Sequence, residues 1–311
     1  MKKIFLLSAI LMFEICCFAK ELKVLMVGNS FSQSVLTYFP AIVKADPENS
    51  LKLGQCMIGG CTIQRHCAEF AKSEKDPNHR PYMTNLKFPG RKKRLASLQE
   101  LLKADKWDIV TIQQGSHESW RPESFVHAKK LIGIIRKLAP QAEIVIQQTW
   151  SYSIDDVRIS SSKNGWNIGQ KEMYERLTEN YKKLAEENQF RVIPTGYAVQ
   201  LAREKSPVKF KLYDPEILKK LRHPDLPDVK GEVVGSVKWV TNRKTGEQFI
   251  RRDTMHLNNE GEYLQACVWY MFLYGKKASD IKFMPEHFAG DAKFLAKCAE
   301  EAVTGFPQVK Q

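Results

Sequence analysis

Past Ala19 the sequence lacks any apolar run long enough to span a membrane, which leaves no helical span in that part of the chain. It lacks internal repeats and low-complexity tracts, so solenoid and linker architectures fall away. It also lacks the C-x-x-C pairs of structural zinc sites. Cys56, Cys61 and Cys67, with His66 beside the last, therefore read as buried thiols or one disulfide and not as a metal centre. Acidic residues are the scarcer sign of charge: 35 Asp and Glu stand against 48 Lys and Arg, a formal net charge of +13. That balance suits acidic polysaccharides, anionic surfaces or nucleic acid. The basic residues are scattered, however, and their densest cluster, Arg91-Lys92-Lys93-Arg94, sits in no nucleic-acid module. Most of them read as a solubilising surface.

What is present begins with a secretory pattern. Lys2 and Lys3 precede an apolar run from Ile4 to Ala19, and small residues end it before Lys20. Residues 1–19 are expected to be a signal peptide and 20–311 one domain, which predicts a periplasmic or secreted protein. A lipid anchor at Cys16 or Cys17 is disfavoured, because Ile15 and Cys16 are not the small residue such a site requires. Five cysteines follow the signal, and an odd number leaves at least one free or paired between chains. The hydrophobic fraction of 43% suffices for a sizeable core.

Strand and helix patterns alternate through the first two thirds. Leu22–Val27, Leu51–Ile58, Asp108–Gln114, Glu143–Trp150 and Phe190–Pro194 read as strands. Between and after them, Val35–Lys44, Leu95–Ala104, Glu123–Leu138, Gln170–Asn188 and a stretch up to Glu204 read as helices. Near-continuous apolar strands separated by helices predict a parallel sheet covered on both faces. Its reactive loops should lie at the carboxyl ends of the strands, near the switch in strand order. Residues 205–252 break the rhythm and read as an insertion. It closes in a hairpin, Val237–Thr241 against Glu247–Arg251, with Asn242 to Gly246 as the turn. A final helix is predicted over Asn259–Tyr274, and the remainder reads as helical and polar.

Two segments carry chemistry. Gly28-Asn29-Ser30-Phe31-Ser32 follows the first strand directly, so the Ser30 hydroxyl can face a crevice. Backbone N–H groups at the start of the next helix can hold a developing oxyanion. Serines also cap helices, which is the competing role for Ser30 and the preferred one for Ser32. Asp253-Thr254-Met255-His256 precedes the last helix; a nucleophilic serine needs an imidazole base, and the base needs a carboxylate to hold its tautomer. A second D-x-x-H, Asp76 to His79, lies in a polar stretch and reads as a solvated loop. His117 and Glu118 read as exposed loop residues. Trp120, Trp150 and Tyr152 read as core packing or as a sugar-stacking wall.

In order along the chain stand a serine after strand one, glycines after strand two, polar residues after strand three and D-x-x-H before the last helix. This arrangement resembles the SGNH (GDSL-like) hydrolase family over Leu22 to about Gly275. Together GNSFS, IGGCTI, IQQGS and DTMHLNNEGEYL resemble a less-characterised bacterial branch of it, a domain of unknown function. The resemblance implies a three-layer α/β/α flavodoxin-like fold with a five-stranded parallel sheet. It implies Ser30 as nucleophile with Asp253 and His256, and an oxyanion hole from the Ser30 and Gly60 backbone. It implies an acyl ester substrate, small or glycan, with carbohydrate O-acetyl esters foremost; lipid or thioester acyl hydrolysis and a non-catalytic carbohydrate-binding protein are the alternatives. No cofactor, metal, nucleic acid or stable membrane insertion is expected. One block departs: the family's Asn after the third strand is replaced by Gln113-Gln114, and Gln114 is favoured over Gln113 as the amide donor.

Overall fold

The computed structural model describes residues 21–160 and 165–309. The expected signal peptide, with Cys16 and Cys17, lies outside the described residues. Strand β1 (Glu21–Gly28) runs through the centre of the sheet, and its residues from Val24 to Val27 are buried, as an unbroken apolar run requires. It turns at Gly28 into the short helix α1 (Ser30–Gln33) and then α2 (Val35–Lys44). Strand β2 (Ser50–Met57) returns parallel to β1, with Gly28 opposite Met57. Helix α3 (Ile63–Lys75), strands β3 (Tyr82–Met83) and β4 (Leu95–Ala96) and helix α4 (Leu98–Leu102) lead to β5 (Ile109–Ile112). That strand pairs with the other edge of β1. The chain continues through α5 (Ala128–Leu138), β6 (Glu143–Gln147), α6 (Val157–Ser160), α7 (Gln170–Asn188), β7 (Val192–Ile193) and α8 (Thr195–Lys205).

The sheet order is β4-β3-β2-β1-β5-β6-β7. Five of these strands are parallel, β2-β1-β5-β6-β7, in the flavodoxin-like order with the switch at β1. The expected count of five is corrected to seven, because β3 and β4 add an antiparallel edge beside β2. Each is two residues long, too short for any alternation to be visible. Leu95 and Ala96, expected to open a helix, form β4 instead; the helix starts after the Ser97 cap.

Right-handed crossovers explain the layers. The step from β1 to β2 runs one way along the sheet and the steps from β2 through β5 and β6 to β7 run the other. Helix α2 therefore covers one face, and α3, α4, α5 and α7 the opposite face. After β7 the chain returns to the face of α2, where α8 and the last two long helices pack together, the first of those two against α2.

The insertion holds a short helix, α9 (Ile217–Lys220), and a hairpin of β8 (Val237–Thr241) with β9 (Gln248–Arg252). The second hairpin strand is one residue later than expected. Helix α10 (Asn259–Tyr274) has the predicted bounds and is buried nearly all round. The last helix, α11 (Ala289–Gly305), is not the polar helix expected: Ala292, Leu295, Ala296, Cys298, Ala299 and Ala302 face inward. Small residues on that side let it lie against α10 and α8. Among the described residues no helix is long and apolar enough to cross a membrane.

Candidate active site

The loops after β1, β2 and β5 meet at the carboxyl ends of their strands. Asn29 ties them together. It is 1% exposed. Its side-chain oxygen accepts from the Phe31 N–H at 3.0 Å, capping α1, and from Gln113 Nε2 at 2.8 Å. Its amide nitrogen donates to the carbonyls of Cys61 at 3.0 Å and Gln114 at 3.4 Å. Every polar capacity of this buried amide is used.

Ser30 is the first residue of α1, so it has no partner carbonyl one turn behind it within the helix. Its hydroxyl lies 2.9 Å from His256 Nε2, and His256 Nδ1 lies 2.8 Å from Asp253 Oδ2. The other Asp253 oxygen accepts from the Met255 and His256 N–H groups, both at 2.9 Å. Burial pushes the Asp253 pKa up. The His256 ring and these two N–H groups more than offset that and hold the carboxyl well below the usual range. With Nδ1–H donated to this carboxylate, Nε2 is left to accept from the Ser30 hydroxyl.

The D-x-x-H segment is held from several sides. The Thr254 hydroxyl donates to Asp156 Oδ2 at 2.6 Å, and the Trp150 indole N–H donates to the Met255 carbonyl at 2.9 Å. Arg252 forks onto Asp155 at 2.9 and 3.1 Å. The Ser30 side is braced too: the Ser34 hydroxyl donates to Gln265 Oε1 at 2.6 Å, and Gln265 Nε2 donates to the Phe31 carbonyl at 3.2 Å. Phe31 stacks on Trp150 at 4.1 Å and meets the His256 ring edge-on at 5.6 Å. A cavity of about 420 Å³ opens between Ser30, His256, Trp150, Thr37, Leu257 and Glu262.

The second glycine block forms a reverse turn closed by Cys61 N–H to the Ile58 carbonyl at 3.1 Å. Gly60 sits in it at φ +61° and is exposed, a conformation that explains glycine at this position. The glutamines do not serve as expected. Gln114 is fully buried; its oxygen accepts from the Ile63 and Gly115 N–H groups, and its nitrogen donates to the Ser124 carbonyl and hydroxyl. The preference for Gln114 is therefore overturned. Strand alternation turned it toward α3, and Gln113 toward the serine loop. Gln113 is the one beside Asn29, with its amide nitrogen on Asn29 and its buried oxygen without a partner.

The rival candidates resolve as structure. Ser32 is buried and its hydroxyl donates to the Asn29 carbonyl at 2.8 Å. His79 pairs with Glu69 at 2.5 Å and not with Asp76, whose side chain caps the Asn78 N–H. Trp120, Trp150 and Tyr152 are buried, and of the three only Trp150 lines the cavity at Ser30. His117 and Glu118 are half-buried. Cys56, Cys61, Cys67, Cys267 and Cys298 are free buried thiols. Thr254, Asp156, Gln265 and Glu262 were not singled out in the sequence. Asn29 stood out only as the Asn in the place where the resembled family has Asp.

A family model, a domain of unknown function (DUF4886), matches residues 23–211. The chain belongs to this family. The matched stretch contains Ser30, Gly60, Gln113 and Gln114, and Asp253 and His256 lie beyond it. The structure is similar to that of a family member from Bacteroides uniformis, at 23% identity and a TM-score of 0.67, covering 92% of this chain and 94% of that one. That likeness is one of fold. More distant similarity extends to a candidate SGNH hydrolase from Slackia heliotrinireducens, at 16% identity and TM-score 0.46, covering 80% of this chain and 97% of that one. An acetyl xylan esterase is similar at 14% identity and TM-score 0.40, over 80% of this chain and 98% of the other. No curated protein matches the chain.

Proposed function

We propose that this family member is an exported serine esterase that hydrolyses acyl esters through a covalent acyl-enzyme, with carbohydrate O-acetyl groups as its substrate class. The observation that carries the reading is the unbroken chain from Ser30 through His256 to Asp253, at 2.9 and 2.8 Å. His256 takes the Ser30 proton as the hydroxyl attacks the ester carbonyl. Asp253 holds the ring and stabilises the imidazolium. The tetrahedral oxyanion is held by the backbone N–H groups of Ser30 and Gly60. The alcohol leaves with the proton from His256, which then activates water to release the acyl group. Export rests on the sequence pattern of residues 1–19 and predicts a periplasmic or secreted enzyme.

One observation favours a second reading, a non-catalytic carbohydrate-binding protein of the same fold. Gln114 has no free donor for an oxyanion, and Gln113 already serves Asn29. A fluorophosphonate probe and an aryl acetate separate the two. The wild-type protein should label and hydrolyse, and Ser30→Ala should lose label and about a thousandfold or more in kcat/KM. Labelling that persists in Ser30→Ala would remove Ser30 as nucleophile; a wild type inert to both reagents would favour the binding protein.

A further inference from the structure

Among the described residues the cavity at Ser30 and His256 is lined by no lysine or arginine, and Glu262 is its one carboxylate. This is unexpected in a chain with a net charge of +13. The catalytic cycle above leaves Glu262 without a task. It sits in the first turn of α10, half-buried, with the Thr37 hydroxyl as its side-chain partner. Burial raises its pKa, while that hydroxyl and the nearby His256 draw it back. A carboxylate partly removed from water and facing a cavity is stabilised by a cation brought to it, and destabilised by a second anion. A further cavity of about 630 Å³ shares Leu257 and Glu262 with the first, so the carboxylate borders both. A substrate arm longer than an acetyl group, leaving Ser30 in that direction, passes it.

We propose that Glu262 is a specificity-determining residue of this site, favouring esters whose longer arm carries an ammonium group and rejecting those whose arm carries a carboxylate. The proposal rests on the esterase reading and assigns the charge of its substrate. Unit charges about 10 Å apart, at an effective dielectric near 20, alter affinity by about tenfold or somewhat more.

Matched esters of equal shape test it. Acetylcholine and 3,3-dimethylbutyl acetate differ by one charge on the alcohol side. The phenyl esters of betaine and of 3,3-dimethylbutyric acid differ by one charge on the acyl side, provided that each enzymatic rate is divided by that ester's own rate with hydroxide, because the ammonium also activates the carbonyl. Whichever arm lies along Glu262, one pair should show a preference of about tenfold in kcat/KM for the cation. In Glu262→Gln that ratio should fall to near one. Tetramethylammonium should slow fluorophosphonate labelling of the wild-type protein where acetate does not, a readout that needs no variant. Equal rates within both pairs, beside normal aryl acetate hydrolysis, would overturn the proposal and leave the esterase standing. So would a cation preference that Glu262→Gln retains, even with both rates lowered, since Glu262 would then act through His256. A wild type that hydrolyses no ester and takes no label would end both readings.

Discussion

Asn29 shows how much of a site one side chain can hold. It caps the helix that presents Ser30, and it binds the loops after β2 and β5 to the loop after β1. Asn29→Ala removes the cap and strands buried groups on three loops, and should cost about 2–4 kcal/mol in urea denaturation. Asn29→Asp retains the cap but sets a carboxylate against the carbonyls of Cys61 and Gln114. It should also destabilise, by about 1–3 kcal/mol; an Asp variant as stable as wild type would mean that the ties to the two carbonyls contribute little. That Ser30, Asp253 and His256 would come together was legible in the sequence, because a serine, an imidazole and a carboxylate are distinctive residue types at fixed places beside a strand and a helix. The placement of Gln113 and Gln114 was not. Alternation tells that neighbours on a strand face opposite ways, but not which of them faces the serine.

At the scale of elements, the long amphipathic segments were legible with their bounds. Helices α2, α7 and α10 begin and end where capping and periodicity place them. Short elements depend on partners and were missed, as β3 and β4 show. Helix α4 is a case where a cap sets the boundary. Ser97 and Glu100 form a reciprocal capping box, and Glu100 also receives Arg80 and Arg91. Burial pushes the Glu100 pKa up, but Arg91, the Ser97 N–H and Arg80 outweigh it and bring it to about 2. The unfolded value is near 4.3. Because the folded pKa is the lower one, the stabilisation is complete above about pH 4.3 and is lost as pH falls toward about 2. Glu100→Gln should cost roughly 2 kcal/mol at neutral pH, allowing for solvent screening of a partly exposed group, and flatten the stability curve within that acid window. Urea titrations of both proteins between those pH values measure it; parallel curves would refute the assignment.

Across the whole molecule, a buried ion pair joins the insertion to the sheet. Arg203 on α8 meets Glu232 at 2.9 Å and donates to the Ser151 hydroxyl and to the carbonyls of Ser151 and Tyr152. Glu232 in turn accepts from the Val233 and Val234 N–H groups, next to the strand bridge that leads into His256. Arg203→Ala leaves the Glu232 charge buried and should cost about 3–5 kcal/mol in chemical denaturation. It should also lower the proposed esterase activity, because the loop carrying His256 loses its anchor; full activity with unchanged stability would contradict this role.

By itself the sequence determined five parallel strands, the long helices, the insertion and the three residue types able to perform acyl transfer. These follow from periodicity, turn chemistry and side-chain chemistry, all of which are local. Tertiary structure alone decided that Ser30 and His256, 226 positions apart, lie 2.9 Å from each other. It also decided that Gln114 turns away, that Asn29 joins three loops, and that Glu262 faces the same cavity as the serine. Each of these depends on strand order and on how α10 seats against α1 and the sheet, and contacts between segments so distant leave no period in the chain.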